Sequence, residues 1–391
     1  MEKVYDMRHG TAFKQPIQKT FESYAREHFE ELLDLVKSLC QIPAPSHFED
    51  RRAAFCKEWL ERFGAKNVFI DGAKNTVYPF KDTGGEAVLL TAHTDTVFPD
   101  LEPMPMREKG GKLFCPGVGD DTVNLAILLM AARYMQQSGR TPKCDLIFAA
   151  NSCEEGLGNL KGCRALIEKY GGRLKEFVSF DLGLDTMFVK AVGSARFKVK
   201  IRTAGGHSWN DFGTPNAICE AAKMIEKLYS QKLPSEGRTT VNVGTISGGT
   251  SVNTIAQYAE FLYEYRSESA ACMETMRRNF INIVDSLQGN GRTVEVEELG
   301  VRPGMGACKD EEAQQRLFER VERAIERVTG KSPKRLSGST DCNIPFSQGI
   351  PSVCFGLATM GGTHTREEYI QTESIVLGLR AALLFISDYF E

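Results

Sequence analysis

Three features of the 391-residue sequence predict an α/β protein with a ferredoxin-like unit inserted into it. Apolar segments end in acidic or histidine residues and are each followed by a helical period, the pattern of an α/β sheet whose site lies at the carboxyl edge of its strands. After Val192 the rhythm changes to β-α-β-β-α-β, a self-contained arrangement of roughly a hundred residues. Past Pro303 and Gly304 the α/β style resumes. A chain this long exceeds the size at which single cores stop growing, so more than one domain is expected. The boundaries fall at 1–192 and 304–391 for the two parts of the larger domain and 193–303 for the insert.

Residues 1 to about 18 show no clear period and read as a loosely attached lead-in. From Phe21 to Leu39 apolar residues recur at three and four, an amphipathic helix ended by Pro43 and Pro45. A second helix spans Asp50 to Phe63, closed by Gly64. Strands follow at Val68 to Ile70, Thr76 to Phe80 and Ala87 to Ala92. Asp120 and Asp121 open the helix Val123 to Met135, where carboxylates complement the dipole and can cap free amides. Strand Asp145 to Ala150 runs into Glu154-Glu155-Gly156, and helix Leu160 to Tyr170 with strand Phe177 to Phe180 leads to Asp181. In the insert, Ala195–Thr203, Thr239–Ile246, Gln257–Tyr265 and Thr293–Leu299 are strands, with helices at Asn216–Tyr229 and Ser269–Leu287. Helix Asp310 to Val328, strand Ser352 to Phe355 and a closing helix from Thr372 to Phe390 complete the chain.

The net charge of −3 implies no polyanion partner, so nucleic acid and anionic membrane are poor candidates. The amino terminus has no apolar core of signal-peptide type, and nowhere do about eighteen apolar residues run together, so a cytoplasmic location is expected. Eleven cysteines without a C-x-x-C pair fit buried reduced thiols better than a disulfide framework or a zinc knuckle.

Function is carried by loops that follow strands: His93, Asp120, Glu154 with Glu155, Asp181 and His364. Alone, His93-x-Asp95 is a surface pair or a metal ligand with its supporting carboxylate. Glu154-Glu155 alone could be a solvated helix start. A sheet gathers such loops on one edge, and two histidines with three or four carboxylates suit zinc, which accepts N and O ligands. Their number favours two metal ions sharing a bridging carboxylate. Gly117-Val118-Gly119 lacks the third glycine and the lysine of a phosphate loop, which excludes a nucleotide site.

His93-x-Asp95, Gly-x-Gly-Asp120-Asp121, Glu154-Glu155-Gly156, Asp181 and Gly-Gly-Thr-His364-Thr together closely resemble the co-catalytic zinc exopeptidase and amidohydrolase family. That family includes glutamate carboxypeptidase, tripeptide aminopeptidase, aminoacylase and succinyl-diaminopimelate desuccinylase. The resemblance covers nearly the whole chain. It implies a zinc-exopeptidase-like catalytic domain, with a central mixed sheet flanked by helices, and makes the ferredoxin-like insert a lid that also dimerises.

Position by position, the resemblance implies that Asp120 bridges two zinc ions, with cobalt or manganese as alternatives. His93 and Asp181 would complete one site, Glu155 and His364 the other. Asp95 would hold the second nitrogen of His93, and Glu154 would be the general base. His207 of Gly-Gly-His-Ser would reach across a homodimer to the scissile carbonyl, while Asn253, Arg266 and Arg302 would bind substrate, a small peptide or an N-acyl amino acid. The family commonly has Lys-Gly where this chain has Thr122-Val123, and Asp185 competes with Asp181 as ligand.

Plainer readings stand beside these. His207 could sit on an ordinary hairpin, Arg266 and Arg302 could be salt-bridge partners, and Asp341 could cap a turn. Ser339-Thr340-Asp341 with Ile350-Pro351 leans towards the peptidase branches rather than the deacylases. A carbamoyl compound is a further substrate class. A non-catalytic protein on the same fold would have lost the base or a ligand, and no such loss is visible.

Overall fold

The computed structural model describes residues 15–391, with side chains from residue 20 onward. The lead-in read over residues 1 to about 18 therefore lies largely outside the described residues, and a helix already begins at Gln15.

Strands Ala87–His93 and Asp145–Asn151 form the centre of an eight-stranded sheet, and every residue of both is buried. Continuous apolar runs of this kind belong to parallel strands covered on both faces. The pleat divides them. Val88, Leu90 and Ala92 face a core built with helices Phe29–Cys40, Val123–Ser138, Glu311–Thr329 and Ser374–Ser387. Ala87 and Leu89 face the opposite core, with Leu160, Leu166 and Ile344.

Ala87–His93 pairs in parallel with Asp145–Asn151 on one side and Leu174–Phe180 on the other, and Ser352–Phe355 continues that parallel set. Antiparallel pairs occur towards both ends of the sheet, at Thr76–Lys81 against Asp145–Asn151 and at Thr186–Ala191 against Ser352–Phe355. The sheet is therefore mixed. The four parallel strands deliver their carboxyl ends, and the loops that follow, to one edge.

Sequence reading differs from the structure in four places. The single helix expected from Phe21 to Leu39 is two, Gln15–Glu27 and Phe29–Cys40, interrupted at His28, whose ring stacks on Tyr24 with centroids 4.0 Å apart. Helix Val123–Ser138 has no side-chain cap: residues 118–122 form an irregular turn, and Asp121 turns towards the sheet instead. Strands Thr186–Ala191 and Lys334–Gly338 were not anticipated, because partly exposed strands near a sheet edge carry mixed polar residues. The same is true of a small four-stranded sheet made by 107–109, 112–114, 360–361 and 369–371.

Between Gly193 and Arg302 the chain forms a four-stranded antiparallel sheet, in the order Thr239–Gly248, Tyr258–Ser267, Gly193–Thr203, Arg292–Arg302. Helix Ala217–Ser230 is capped by Asn216 and helix Ala270–Ser286 by Ser269. The β-α-β-β-α-β order and this strand order are ferredoxin-like. Phe197, Val199, Met224, Phe261, Tyr263 and Phe280 make its own apolar core. The two chain crossings into this unit are held by one buried side chain: Asn343 Nδ2 donates to Val192 O and to Pro303 O, both at 2.9 Å. Gly193 and Gly304 pass so closely there that a Cβ on Gly193 would lie 2.7 Å from Gly304 N.

Candidate metal centre

His93 ends the strand Ala87–His93 level with Asn151 of its neighbour, so the loop after Asn151 brings Glu154 and Glu155 beside the imidazole. His93 Nε2 lies 3.0 Å from Asp120 Oδ1 and 3.9 Å from Asp181 Oδ1. His364 Nε2 lies 3.1 Å from Asp120 Oδ2 and 3.3 Å from Glu155 Oε1. One carboxylate therefore offers an oxygen to each of two histidine-containing groups. Asp181 is buried here, whereas Asp185 is exposed and pairs with Lys334 at 3.3 Å, so only Asp181 joins the cluster.

Asp121 is also within reach of His93 and Asp181. Its oxygens are already engaged, Oδ2 by the His93 amide at 2.8 Å and Oδ1 by Asn124 Nδ2 at 2.7 Å. It fastens the strand end to the helix start and leaves coordination to the others.

The fit to cations can be tested on the buried oxygens. Among the described residues Asp181 Oδ1 is buried without a hydrogen-bond partner, and Glu155 Oε1 is buried with the His364 ring 3.3 Å away. Burial, followed by the charge of Asp120, raises both carboxyls, that of Asp181 well above the ordinary range. Buried carboxylates lacking a proton donor are costly unless paired with a cation or bound to a metal. The donor set of imidazole and carboxylate suits zinc and its neighbours. Burial would raise Asp120 as well, but its hydrogen bonds with His364 and His93 outweigh this and hold it below the usual range.

Both histidines respond in the opposite sense. Hydrogen bonds to Asp120 and Glu155 raise His364 to about 10. Burial opposes charge on His93, but Asp121 and the bonds to Asp120 and Asp95 hold it well above its ordinary value. A metal ligand must be neutral imidazole, so the proton that His364 holds up to about 10 has to leave on binding, and the upward shift of His93 acts in the same direction. Loading at pH 7 is therefore expected to release about one to two protons per chain, with affinity rising as pH increases. Calorimetric titration with zinc in buffers of different ionisation enthalpy measures this; buffer-independent heats would contradict it.

Asp95 departs from expectation in detail. His93 Nδ1 lies closer to the main-chain oxygen of Asp95, at 3.0 Å, than to its carboxylate Oδ1, at 3.4 Å. Besides His93, that carboxylate accepts from the amides of Glu154 at 2.9 Å and Glu155 at 3.0 Å, and from Ser46 Oγ at 2.6 Å. It binds the loop of the two glutamates to the His93 strand. Burial pushes the Glu154 carboxyl well above the ordinary range, against the lowering pull of Arg302. Arg302 is itself buried, with Nη1 3.2 Å from Glu154 Oε1, Nη2 on the Glu154 carbonyl and Nε without a partner. Asp341 accepts from Asn151 Nδ2 at 2.6 Å, and Asn343 N donates to its Thr340 neighbour, so the 340–343 turn packs behind the site.

The remaining expected residues lie on the inserted unit. His207 is exposed on a short strand paired with Thr254–Ile255, and Ser208 N donates to Asn253 O at 3.0 Å, so His207 and Asn253 share one hairpin surface. His207 Nδ1 accepts from the Trp209 amide at 3.2 Å, which leaves the ring proton on Nε2 as an outward donor. Arg266 pairs with Glu264 at 3.0 Å, and Arg196 shares that glutamate at 3.3 Å while donating to Gly156 O at 2.7 Å. Sequence reading missed Arg196, Ser46 and the buried Glu368. Glu368 accepts from three amides of the Asp120 loop, and its signal was only an acid four residues after His364.

Histidines and carboxylates converge at the carboxyl edge of an α/β sheet as a donor set for divalent metal ions. Residues 89–388 match Peptidase family M20/M25/M40, and the chain belongs to that family. It is 25% identical over 343 residues to an acetylornithine deacetylase of Myxococcus xanthus, covering 82% of this chain and 83% of that protein. Its fold matches a tripeptidase of Staphylococcus aureus with a TM-score of 0.76 at 24% identity, over 92% of this chain and 98% of the other. It also matches a Bacillus subtilis protein described as a dinuclear metal binding peptidase of the M20 family, with a TM-score of 0.62 at 17% identity, over 94% and 98% of the two chains.

Proposed function

We propose that this protein hydrolyses amide bonds of small peptides, as a cytoplasmic exopeptidase or dipeptidase, with two divalent metal ions. The observation that carries the reading is the placement of Asp120 between His93 and His364, one oxygen towards each. His93 and Asp181 would hold one ion and Glu155 and His364 the other, with Asp120 bridging; zinc suits the donors best, and cobalt or manganese could replace it. Bound there, the ions supply Lewis acidity, polarising the amide carbonyl and making the attacking water acidic near neutral pH.

Glu154 takes the proton of that water and passes it to the leaving amine. Its backbone is fixed by Asp95 and its carboxylate by Arg302. His207 donates through Nε2 to the carbonyl oxygen as negative charge develops. Asn253, Arg266 and Arg302 orient the substrate, and a guanidinium suits a bidentate grip on a substrate carboxylate.

His207 acts from a second copy of the chain in this reading, with residues 193–303 as lid and dimerisation domain between the catalytic parts 1–192 and 304–391. Trp209 and Phe212 beside it are 85% and 90% exposed, and among the described residues the strand Thr239–Gly248 has a neighbour on one side only, features that suit a homodimer through the lid. A second reading is an N-acyl-amino-acid or carbamoyl amidohydrolase with the same chemistry, favoured by the likeness to the deacetylase.

Enzyme loaded with zinc, cobalt or manganese and assayed on dipeptides, tripeptides, N-acyl amino acids and carbamoyl compounds is expected to prefer the peptides. Preference for N-acyl amino acids would select the second reading, and turnover of none would defeat both. His207→Ala is expected to lower kcat by roughly 10²- to 10³-fold with the dimer intact. A fully active monomer would exclude action across a dimer.

A further inference from the structure

We propose that Glu368 is a positioning residue that fastens Asp120 and His364 into one ligand pair; the proposal rests on the two-metal reading above. Glu368 is fully buried. Its Oε1 accepts from the amides of Gly119 and Asp120, both at 2.8 Å, and its Oε2 from Gly117 at 3.1 Å. Three convergent amides make a concavity matched to a carboxylate. The loop it holds is otherwise irregular: Gly117 has φ +75°, and Asp120 and Asp121 depart from helical geometry. The main chain of that loop bonds Val118 N to Cys115 O at 3.1 Å and Thr122 N to Gly117 O at 3.3 Å, while the amides of Gly117, Gly119 and Asp120 are held by this side chain.

The main chain of Glu368 completes the fastening. Its carbonyl accepts from Cys115 N at 3.1 Å, one residue beyond the strand Lys112–Phe114, which pairs with Tyr369–Gln371. Its amide donates to Thr365 O at 3.2 Å and closes the turn that presents His364. His364 has φ +64°, a conformation a histidine keeps only where its surroundings determine it. Asp120 and His364 thus leave the same end of one strand pair, with Glu368 bound to both exits. His93 and Asp181 depend instead on the ends of parallel strands in the large sheet.

The consequence is asymmetric. Without Glu368 the ion held by Asp120, Glu155 and His364 loses the support of two ligands, whereas the ion at His93 and Asp181 loses support of the bridge alone. Metal-free wild type, Glu368→Gln and Glu368→Ala would be titrated with zinc against a chromogenic chelator, and their melting temperatures recorded without metal.

Two binding steps are expected in wild type. Glu368→Ala should weaken one of them by about 10- to 100-fold and the other much less. Glu368→Gln should fall between, since its Oε1 can still accept from Gly119 and Asp120, and it carries the test if the alanine variant does not fold. In steady-state assays kcat should fall with little change in KM. Unchanged affinities in folded variants, or equal weakening of both steps, would overturn the proposal. Failure of wild type itself to bind zinc would instead overturn the two-metal reading.

Discussion

Glu154→Gln is expected to lower kcat by about 10²- to 10⁴-fold, the range general base catalysis contributes, while metal content stays at the wild-type level. Glutamine matches the shape of glutamate, and its oxygen can still accept from Arg302, which lies 3.2 Å from Glu154 Oε1. The backbone bond from Glu154 N to Asp95 is untouched. Removed is the ability to accept a proton from the attacking water. The neighbouring Glu155, which faces His364 and Asp120, would remain to hold metal in the proposed reading. Steady-state kinetics with elemental analysis of the same samples measures both quantities; unchanged turnover at full metal content would remove Glu154 from its role.

Asp120→Asn should abolish the second metal and reduce turnover by roughly 10³-fold, the equivalent of about 4 kcal/mol of lost electrostatic stabilisation. Asparagine presents one oxygen where aspartate presents two, at 3.0 Å from His93 and 3.1 Å from His364. Its amide group would point at one cation site as a donor. Metal-dependent stabilisation should shrink as well, since a ligand at a thousand times its Kd contributes about 4 kcal/mol. Melting curves with and without zinc check this. A wild-type zinc shift in Asp120→Asn would show that another residue bridges the ions.

Much of this architecture is legible in the residues themselves. Strands buried on both faces announce themselves as unbroken apolar runs, so Ala87–His93 and Asp145–Asn151 could be placed from composition. The inserted unit could be read as well, because its strands alternate and its helices carry Asn216 and Ser269 as caps. Thr186–Ala191 and Lys334–Gly338 escaped because strands near a sheet edge lack that contrast.

Among site residues, position after a strand was enough to single out His93, Asp120, Glu154, Glu155, Asp181 and His364, and the structure brings all six together. The supporting contacts were hidden for a physical reason. Ser46 on Asp95, Asn151 on Asp341 and Glu368 on the Asp120 loop join residues between 49 and 251 positions apart in the chain, and local periodicity carries no trace of such pairs. Asp121 shows the reverse error: at a helix start it reads as a cap, yet its oxygens serve His93 N and Asn124.

The central claim is that Asp120 sits between two ions, and metal occupancy tests it most directly. Metal-free protein reconstituted with zinc, cobalt or manganese, freed of excess metal and analysed for metal against protein concentration should hold about two ions per chain, with activity reaching its maximum only at the second. Full amide-hydrolase activity at one ion or fewer per chain would contradict it.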